Sequence, residues 1–431
     1  MDMSNDHDHT DDGARPDDAT LDELQALEAR AYAAFHEGDL ARAVALFGEL
    51  TGHAPEVPYL HYMRGLAHKY LRNWPASLRD NLQSEQLRDA FDVATAWNAG
   101  IAATAVGDWT EARRQWSRCG ITVPGDAGPI DGDFGVACLR LAPWSAAEVV
   151  YMHRIDPVRA RIDNVPLPES GFRFGDIVLH DGASTGHRTY REQSVPVFNA
   201  MQCLQPSEMA TFTVFVQCDS ADDIAALEAM HLPGIGMVED WTATVRRLCR
   251  RCSYGTPHQH DDAAECADGW ARARDLGIAA QGRAAVEKLL ATWTAAAPGR
   301  VLEAIEQREH PLSDPEPGQV WWLGEEEEER CPVTPSVFDS GDASNGVSTK
   351  VDTYRIEAPS GTRSSEFFRR LSSTSDAVLA QSGSLSMEPA DAFDPARPHP
   401  ALRRVCRDLH RSRHASRSGT PAGAAAGHRP R

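Results

Sequence analysis

Two kinds of phosphate cradle are missing from this chain of 431 residues: there is no G-x-x-x-x-G-K-[ST] loop and no G-x-G-x-x-G turn. Those glycine-rich loops let backbone amides approach phosphates, so nucleotide-driven chemistry loses its usual seat. No stretch reaches 18 uninterrupted apolar residues, and the opening MDMSNDHDHTDDGARPDD has neither the cationic head nor the apolar run of a secretory signal. A soluble, cytoplasmic protein is expected. Positive charge is scarce: 43 Lys and Arg against 63 Asp and Glu leave a formal net charge of -20. Such a body repels phosphate backbones and anionic lipid, so neither nucleic acid nor a membrane is an expected partner. A disulfide framework is absent too. Nine cysteines, an odd number scattered from Cys119 to Cys406, sit in a chain long enough to fold without staples. Reduced thiols are expected.

What is present begins with an internal repeat. The segments ALEARAYAAFHEGDLARAVALFGELTGHAP, YLHYMRGLAHKYLRNWPASLRDNLQSEQLRD and TAWNAGIAATAVGDWTEARRQWSRCGITVP align, and the corner Gly38-Asp39 recurs as Arg72-Asn73 and Gly107-Asp108, at offsets of 34 and 35 residues. Each copy has two helical patterns separated by a small or polar corner, the layout of an antiparallel helix pair. Small residues recur at Ala31, Gly65 and Gly100 in the first helix, and at Ala43, Ser77 and Ala112 in the second. Four residues beyond the second set stand Phe47, Asn81 and Trp116, and a closing proline follows at Pro55 and Pro124 but is Asp89 in the middle copy.

On these residues the segment from about 23 to 126 resembles the tetratricopeptide repeat (TPR) family, a helical solenoid. The resemblance implies a concave surface lined by the first helix of each pair. Carried over copy by copy, its outward positions hold Tyr32, Phe35 and His36, then Tyr59, Tyr62 and Lys69, then Trp97, Asn98 and Ile101. Tyr and Trp combine large contact area with a polar tip, so Tyr32, His36, Tyr59, Tyr62, Lys69, Trp97 and Asn98 are the candidate contacts for a protein or peptide partner. Packing against a neighbouring domain is the alternative for these aromatics. The family's carboxylate-clamping groove is not expected, because Glu28, Tyr32, Met63 and Ala94 stand where several clamp residues would, and only Asn98 fits.

Beyond residue 130 the pattern changes. GVACLRL, EVVYMHRI, GDIVLHDG, SVPVFNAM and TFTVFVQC are short runs rich in β-formers and bounded by Gly, Pro or Asp, and they read as strands. A helix from Ser220 to Met230 followed by GIGMVED makes a strand-helix-strand unit, and helices are expected over about 240–252, 275–293 and 298–308. The whole chain is therefore expected to be a multidomain α+β protein: an acidic leader (1–22), the repeats (23–128), a mixed α+β domain (130–324) and a low-complexity, disordered tail (325–431).

Three features of the α+β domain invite a chemical reading. Cys249 and Cys252 have the spacing of a metal knuckle that His258 and His260 would complete around zinc. Alternatively, Trp241, Val245, Leu248, Cys249 and Cys252 form one apolar helix face with both thiols in a core, opposite a stripe of Arg246, Arg247, Arg250 and Arg251, or the two thiols are a redox pair. His180 beside Asp181 places an imidazole next to a carboxylate, although neighbours on a strand point to opposite faces. The run HRIDPVRARID alternates Arg154, Arg159 and Arg161 with Asp156 and Asp163, as exposed ion pairs do. Trp321 and Trp322 are expected to dock the last ordered segment, and residues 401–431 gather eight arginines against one acid. Two functions follow: a non-enzymatic interaction scaffold or adaptor gripping a polypeptide in the repeat groove, without a cofactor, or an enzyme or zinc-dependent factor with its site in 130–324 and the repeats as a targeting arm.

Overall fold

The computed structural model describes residues 21–145, 147–256 and 270–322, together with the backbone of 353–356. Six helices come first: α1 (Leu21–His36), α2 (Leu40–His53), α3 (Pro58–Tyr70), α4 (Trp74–Leu87), α5 (Val93–Val106) and α6 (Trp109–Arg118). They pair as three hairpins, each helix packed on the next. The repeated corner has a division of labour. Its first residue turns the chain through the left-handed region, with φ of 79° at Gly38, 57° at Arg72 and 76° at Gly107. Its second residue caps the next helix, since the side chains of Asp39, Asn73 and Asp108 accept the amides of Arg42, Ala76 and Glu111. The small positions matter for the reason the pattern implies: a Cβ on Gly100 would lie 2.7 Å from the Trp116 ring, and one on Gly65 would lie 2.8 Å from Asn81 Nδ2. In the middle copy this contact is polar, with Ser77 Oγ donating to the Gly65 carbonyl at 2.8 Å.

Five strands follow: β1 (Val136–Leu141), β2 (Glu148–Arg154), β3 (Arg159–Ile162), β4 (Ile177–Tyr190) and β5 (Gln193–Gln205). Neighbours are antiparallel from β1 to β5, and β5 then pairs in parallel with β1, which closes a five-stranded barrel. Closure leaves no free edge around the ring. Its interior is filled by Leu139, Leu141, Val150, Met152, Ile162, Val178 and Phe198, with Ala137, Ala160 and Ala200 where space is short. On the outside, Val158, Leu179 and Met201 join the core of the repeat helices, so the barrel wall is the floor on which the repeats sit.

The next unit is β6 (Ala210–Gln217), α7 (Ala221–Glu228), β7 (Ile235–Asp240), α8 (Trp241–Thr244), β8 (Val245–Leu248), α9 (Arg250–Ser253), β9 (Ala273–Ala280), α10 (Arg283–Ala296) and β10 (Val301–Gln307). Strands β6, β7, β9 and β10 form an antiparallel sheet in the order β10-β6-β9-β7. With α7 and α10 as the two crossovers, this is the split β-α-β arrangement of ferredoxin-like folds. Phe212, Val214, Val216, Leu276 and Ile278 meet Ile224, Leu227, Val286, Leu289, Leu290 and Trp293 between sheet and helices. A last strand, β11 (Thr353–Ile356), lies between β2 and β8.

The strands expected at β1, β2, β4, β5, β6 and β7 and the helix at α7 are present. The other three expected helices are present only in part or not at all. The 275–293 pattern fused β9 with α10, which part at Gln281-Gly282. The 298–308 pattern is β10: a bulge between Leu302 and Ala304 puts Leu302 and Ile305, three residues apart, on the same face and imitates helical spacing. The 240–252 helix breaks after one turn, because Trp241 is held over Gly277 and donates Nε1–H to the Val165 carbonyl at 2.9 Å, and β8 follows as a strand. The apolar face and arginine stripe read along that helix therefore do not exist as helix faces. The expected leader up to residue 20 and the tail beyond 322 lie outside the described residues, apart from the 353–356 backbone.

Candidate functional site: the joint between repeat helices and barrel

Of the candidate contact residues, Lys69, Trp97 and Asn98 gather where α3 and α5 meet the barrel, whereas Tyr32 and Tyr59 pack among the helices. Lys69, one of three lysines in the chain, is buried near the end of α3. Its Nζ donates to Asn98 Oδ1 on α5 at 3.1 Å and to Asp181 Oδ1 on β4 at 2.9 Å. A buried carboxylate needs such a partner, since desolvation without one is costly. Asn98 is buried beside it, and Trp97 lies half-buried on Trp116, edge to face at 5.2 Å. A Cβ on Gly182 would overlap the Trp97 ring, so only glycine lets β4 come this close. Trp74, at the start of α4, donates its indole N–H to Gln202 of β5 at 2.5 Å.

Nearer the N-terminus, Tyr59 donates its hydroxyl to the buried carboxylate of Glu28 at 2.5 Å. Burial first and the Glu28 charge second raise the Tyr59 and Tyr32 phenols above their ordinary range. Tyr62 is buried, and that burial, with the charge of Asp92 next, pushes it up to about 12. Tyr32 is half-buried against Phe47, while His36 is exposed. Of the nine outward positions, Phe35 and Ile101 are also buried.

A second part of the chain enters the same face. Residues 311–322 run back across the repeat corners, where Arg72 pairs with Asp314 at 2.6 Å and the Gly318 amide donates to the Gly38 carbonyl at 3.2 Å. The strap ends with Trp322 stacked on Tyr70 at 4.5 Å and tilted against Phe35 at 5.5 Å, while Trp321 meets Tyr70 and Trp144 edge to face. Both tryptophans are buried, as their docking role requires. Three indole N–H donors of this joint have no acceptor among the described residues: Trp97 Nε1, Trp321 Nε1 and Trp322 Nε1.

The other candidates separate. His180 and Asp181 do not form a dyad: the imidazole Nδ1 contacts the Asp181 backbone carbonyl at 2.9 Å, whereas the carboxylate faces Lys69. Burial, with the nearby Arg154 charge second, pulls His180 down to about 3. The acids and arginines of HRIDPVRARID are not all at the surface. Asp156 is fully buried and binds Arg159 Nε at 2.5 Å, and the Arg159 guanidinium lies over Trp109 of α6 at 4.5 Å, so this pair fastens barrel to helices. Asp163, pushed up to about 7 by burial, is no exposed acid either. Cys249 and Cys252 share the α9 turn and are half-buried rather than core residues. His258 and His260 lie outside the described residues, and among the described ones no cluster of three metal-ligating side chains occurs.

Sequence reasoning missed Tyr70, Asp181, Gly182, Trp74 and Gln202 as members of this joint. It also took the string G-x-S-x-G to be absent, although residues 182–186 spell it. That string makes a nucleophile only at a strand-to-helix elbow. Here it lies within β4, and Ser184 Oγ donates to the Gly186 carbonyl at 2.7 Å. Among the described residues no helix is long and apolar enough to cross a membrane.

No family model matches the chain, and no curated protein is similar to it. Among solved structures, one similar to it is the TPR2B domain of yeast Sti1, described as a complex with pHsp70, at 24% identity over 22% of this chain and 77% of that one. The TM-score is 0.21, at which the likeness adds nothing to what the three hairpins and their repeated corners already establish.

Proposed function

We propose that the protein is a non-enzymatic interaction scaffold whose repeat helices hold a segment of a polypeptide partner, with the barrel and the split β-α-β unit setting its orientation. The reading is supported by a single feature of the joint. The face of α1 and α3 already grips extended chain at Phe35 and Tyr70, but imperfectly, because the N–H donors of Trp97, Trp321 and Trp322 go unmatched among the described residues. An unmet buried donor costs about 1–3 kcal/mol. A polypeptide carries a carbonyl at every residue and can supply an acceptor to Trp97, while the displaced Trp321 and Trp322 N–H groups regain water, so an incoming segment that displaces the Trp321-Trp322 end of the strap recovers part of what it breaks. Tyr32 and His36 keep exposed surface at the first repeat and form the point of entry. The proposal needs no cofactor and places the protein in the cytoplasm.

Affinity capture followed by chemical cross-linking tests it, with wild-type chain beside Trp321→Ala/Trp322→Ala. The double variant is expected to retain more of the same partner polypeptide, cross-linked to residues of α1 and α3. Equal capture by both chains, or cross-links only to residues beyond 130, would sink the proposal.

A further inference from the structure

The turn that carries Cys249 and Cys252 has no part in the proposed interaction, yet it is specifically built. The Ser253 amide donates to the Cys249 carbonyl at 3.0 Å, which makes Cys249 the capping residue of α9. The capping atom is sulfur: Cys249 Sγ accepts the Cys252 amide at 3.4 Å. The thiolate is the form that attacks disulfides. Three residues apart on helical geometry, with a 1.5 Å rise and a 2.3 Å radius, two Cα atoms stand about 5 Å apart. That falls inside the roughly 4.4–6.8 Å range that a disulfide spans. Both cysteines are half-buried.

The remaining described thiols are placed differently. Cys138 and Cys218 are buried, and burial pushes Cys119 up to about 11 and Cys203 up to about 12. The residues after Cys252 have a mechanical task. Ser253 Oγ accepts Arg140 Nε at 3.1 Å, the Arg140 guanidinium lies 4.1 Å over the Tyr254 ring, and the carbonyls of Tyr254 and Gly255 hold Thr185 Oγ1 and the His187 amide at 2.9 Å each. These contacts tie the cysteine turn to the arm formed by residues 184–190 of β4 and 193–198 of β5.

We infer that Cys249 and Cys252 form a redox-active dithiol that exchanges with a low-molecular-weight disulfide and reports its state to the β4–β5 arm. In the first step the Cys249 thiolate attacks one sulfur of RSSR, a mixed disulfide forms, and RS⁻ leaves and takes up a proton. In the second the Cys252 thiolate attacks the Cys249 sulfur, closes the intrachain bond and expels the second RS⁻. The two protein thiols lose two electrons and two protons, and RSSR is reduced to two RSH.

The full chain is equilibrated in buffers of stepped glutathione to glutathione-disulfide ratio, alkylated and digested with trypsin. Cleavage at Arg250 and Arg251 separates the two cysteines, so a peptide pair held together only by sulfur identifies the bond. The Cys249–Cys252 pair is expected to form at the lowest proportion of disulfide, and amide exchange over 184–190 is expected to change with it. A Cys252→Ser chain is expected to trap glutathione on Cys249 at least about tenfold faster than on Cys119 or Cys203. A folded chain in which 249–252 never closes, in which Cys252 pairs elsewhere, or in which glutathione prefers Cys119 or Cys203, overturns the inference. So does closure that leaves exchange over 184–190 unchanged, as regards the report to the arm.

Discussion

The repeat helices and the joint beneath them satisfy polar groups over different lengths of chain. Within the helices, partners are close in sequence: the corner caps reach three residues, Ser77 reaches Gly65, Arg64 reaches Asp80, and Arg114 reaches Glu85 in the preceding repeat. At the joint, Lys69 reaches Asp181, Trp74 reaches Gln202, and Asn199 reaches the Trp321 carbonyl. Short-range partners form at small loop-closure cost, whereas long-range ones require the barrel to exist first. The helices therefore carry their own local instructions, and the face they present to the barrel is completed by residues that only the assembled fold supplies.

The largest expected disturbance of this contrast is Lys69→Met. It leaves the Asp181 carboxylate buried without its cation and is expected to cost about 3–5 kcal/mol, read as a fall in the urea midpoint. Helicity at low denaturant should survive while near-ultraviolet tryptophan signals change. Loss of both together would mean that the repeats have no stability apart from the joint.

A smaller effect comes from pH. Glu239 is fully buried, accepts the Val165 amide at 2.8 Å and contacts Thr244 Oγ1 at 3.1 Å, and burial pushes it up to about 8 from an ordinary 4.5. The unfolded chain loses this proton at lower pH than the folded one. The stability tied to it is therefore complete below about 4.5 and is lost as pH rises through about 8. Glu239→Gln should flatten the dependence of the urea midpoint on pH across that window, and an unchanged slope would assign it to other groups. His180 acts with the opposite sign: held down to about 3, it withdraws stability as pH falls below about 6.5. The smallest effect is local. Asn73→Ala removes one helix cap and is expected to cost about 1 kcal/mol, detectable in the thermal midpoint with the joint intact.

The same contrast decides how much could be read in advance. Gly38-Asp39, Arg72-Asn73 and Gly107-Asp108 announce their turns because the left-handed residue and the cap are adjacent in sequence. The Gly100 and Trp116 contact was legible for a similar reason, as one helix hairpin contains both. Barrel closure was not, since nothing in β1 or β5 alone marks their parallel pairing. In β10 the bulge actively misled, and in β9 an alternating run adjoining α10 was absorbed into the helix. At the candidate site, the aromatic and Lys/Asn residues of α1, α3 and α5 were identified by position, but Asp181 and the strap that meet them are too distant in sequence to leave a local signal.

The amide of Gly318 on the carbonyl of Gly38 has a mechanical corollary. A Cβ on Gly38 would fall 2.8 Å from the Gly318 carbonyl carbon, so the first corner and the strap meet backbone to backbone. With Trp322 seated on Phe35, the described path returns to its first helix like a belt through its own buckle. A protease nick in an intervening loop should therefore leave two pieces that still travel as one particle on a sizing column, parting only when denaturant releases the clasp.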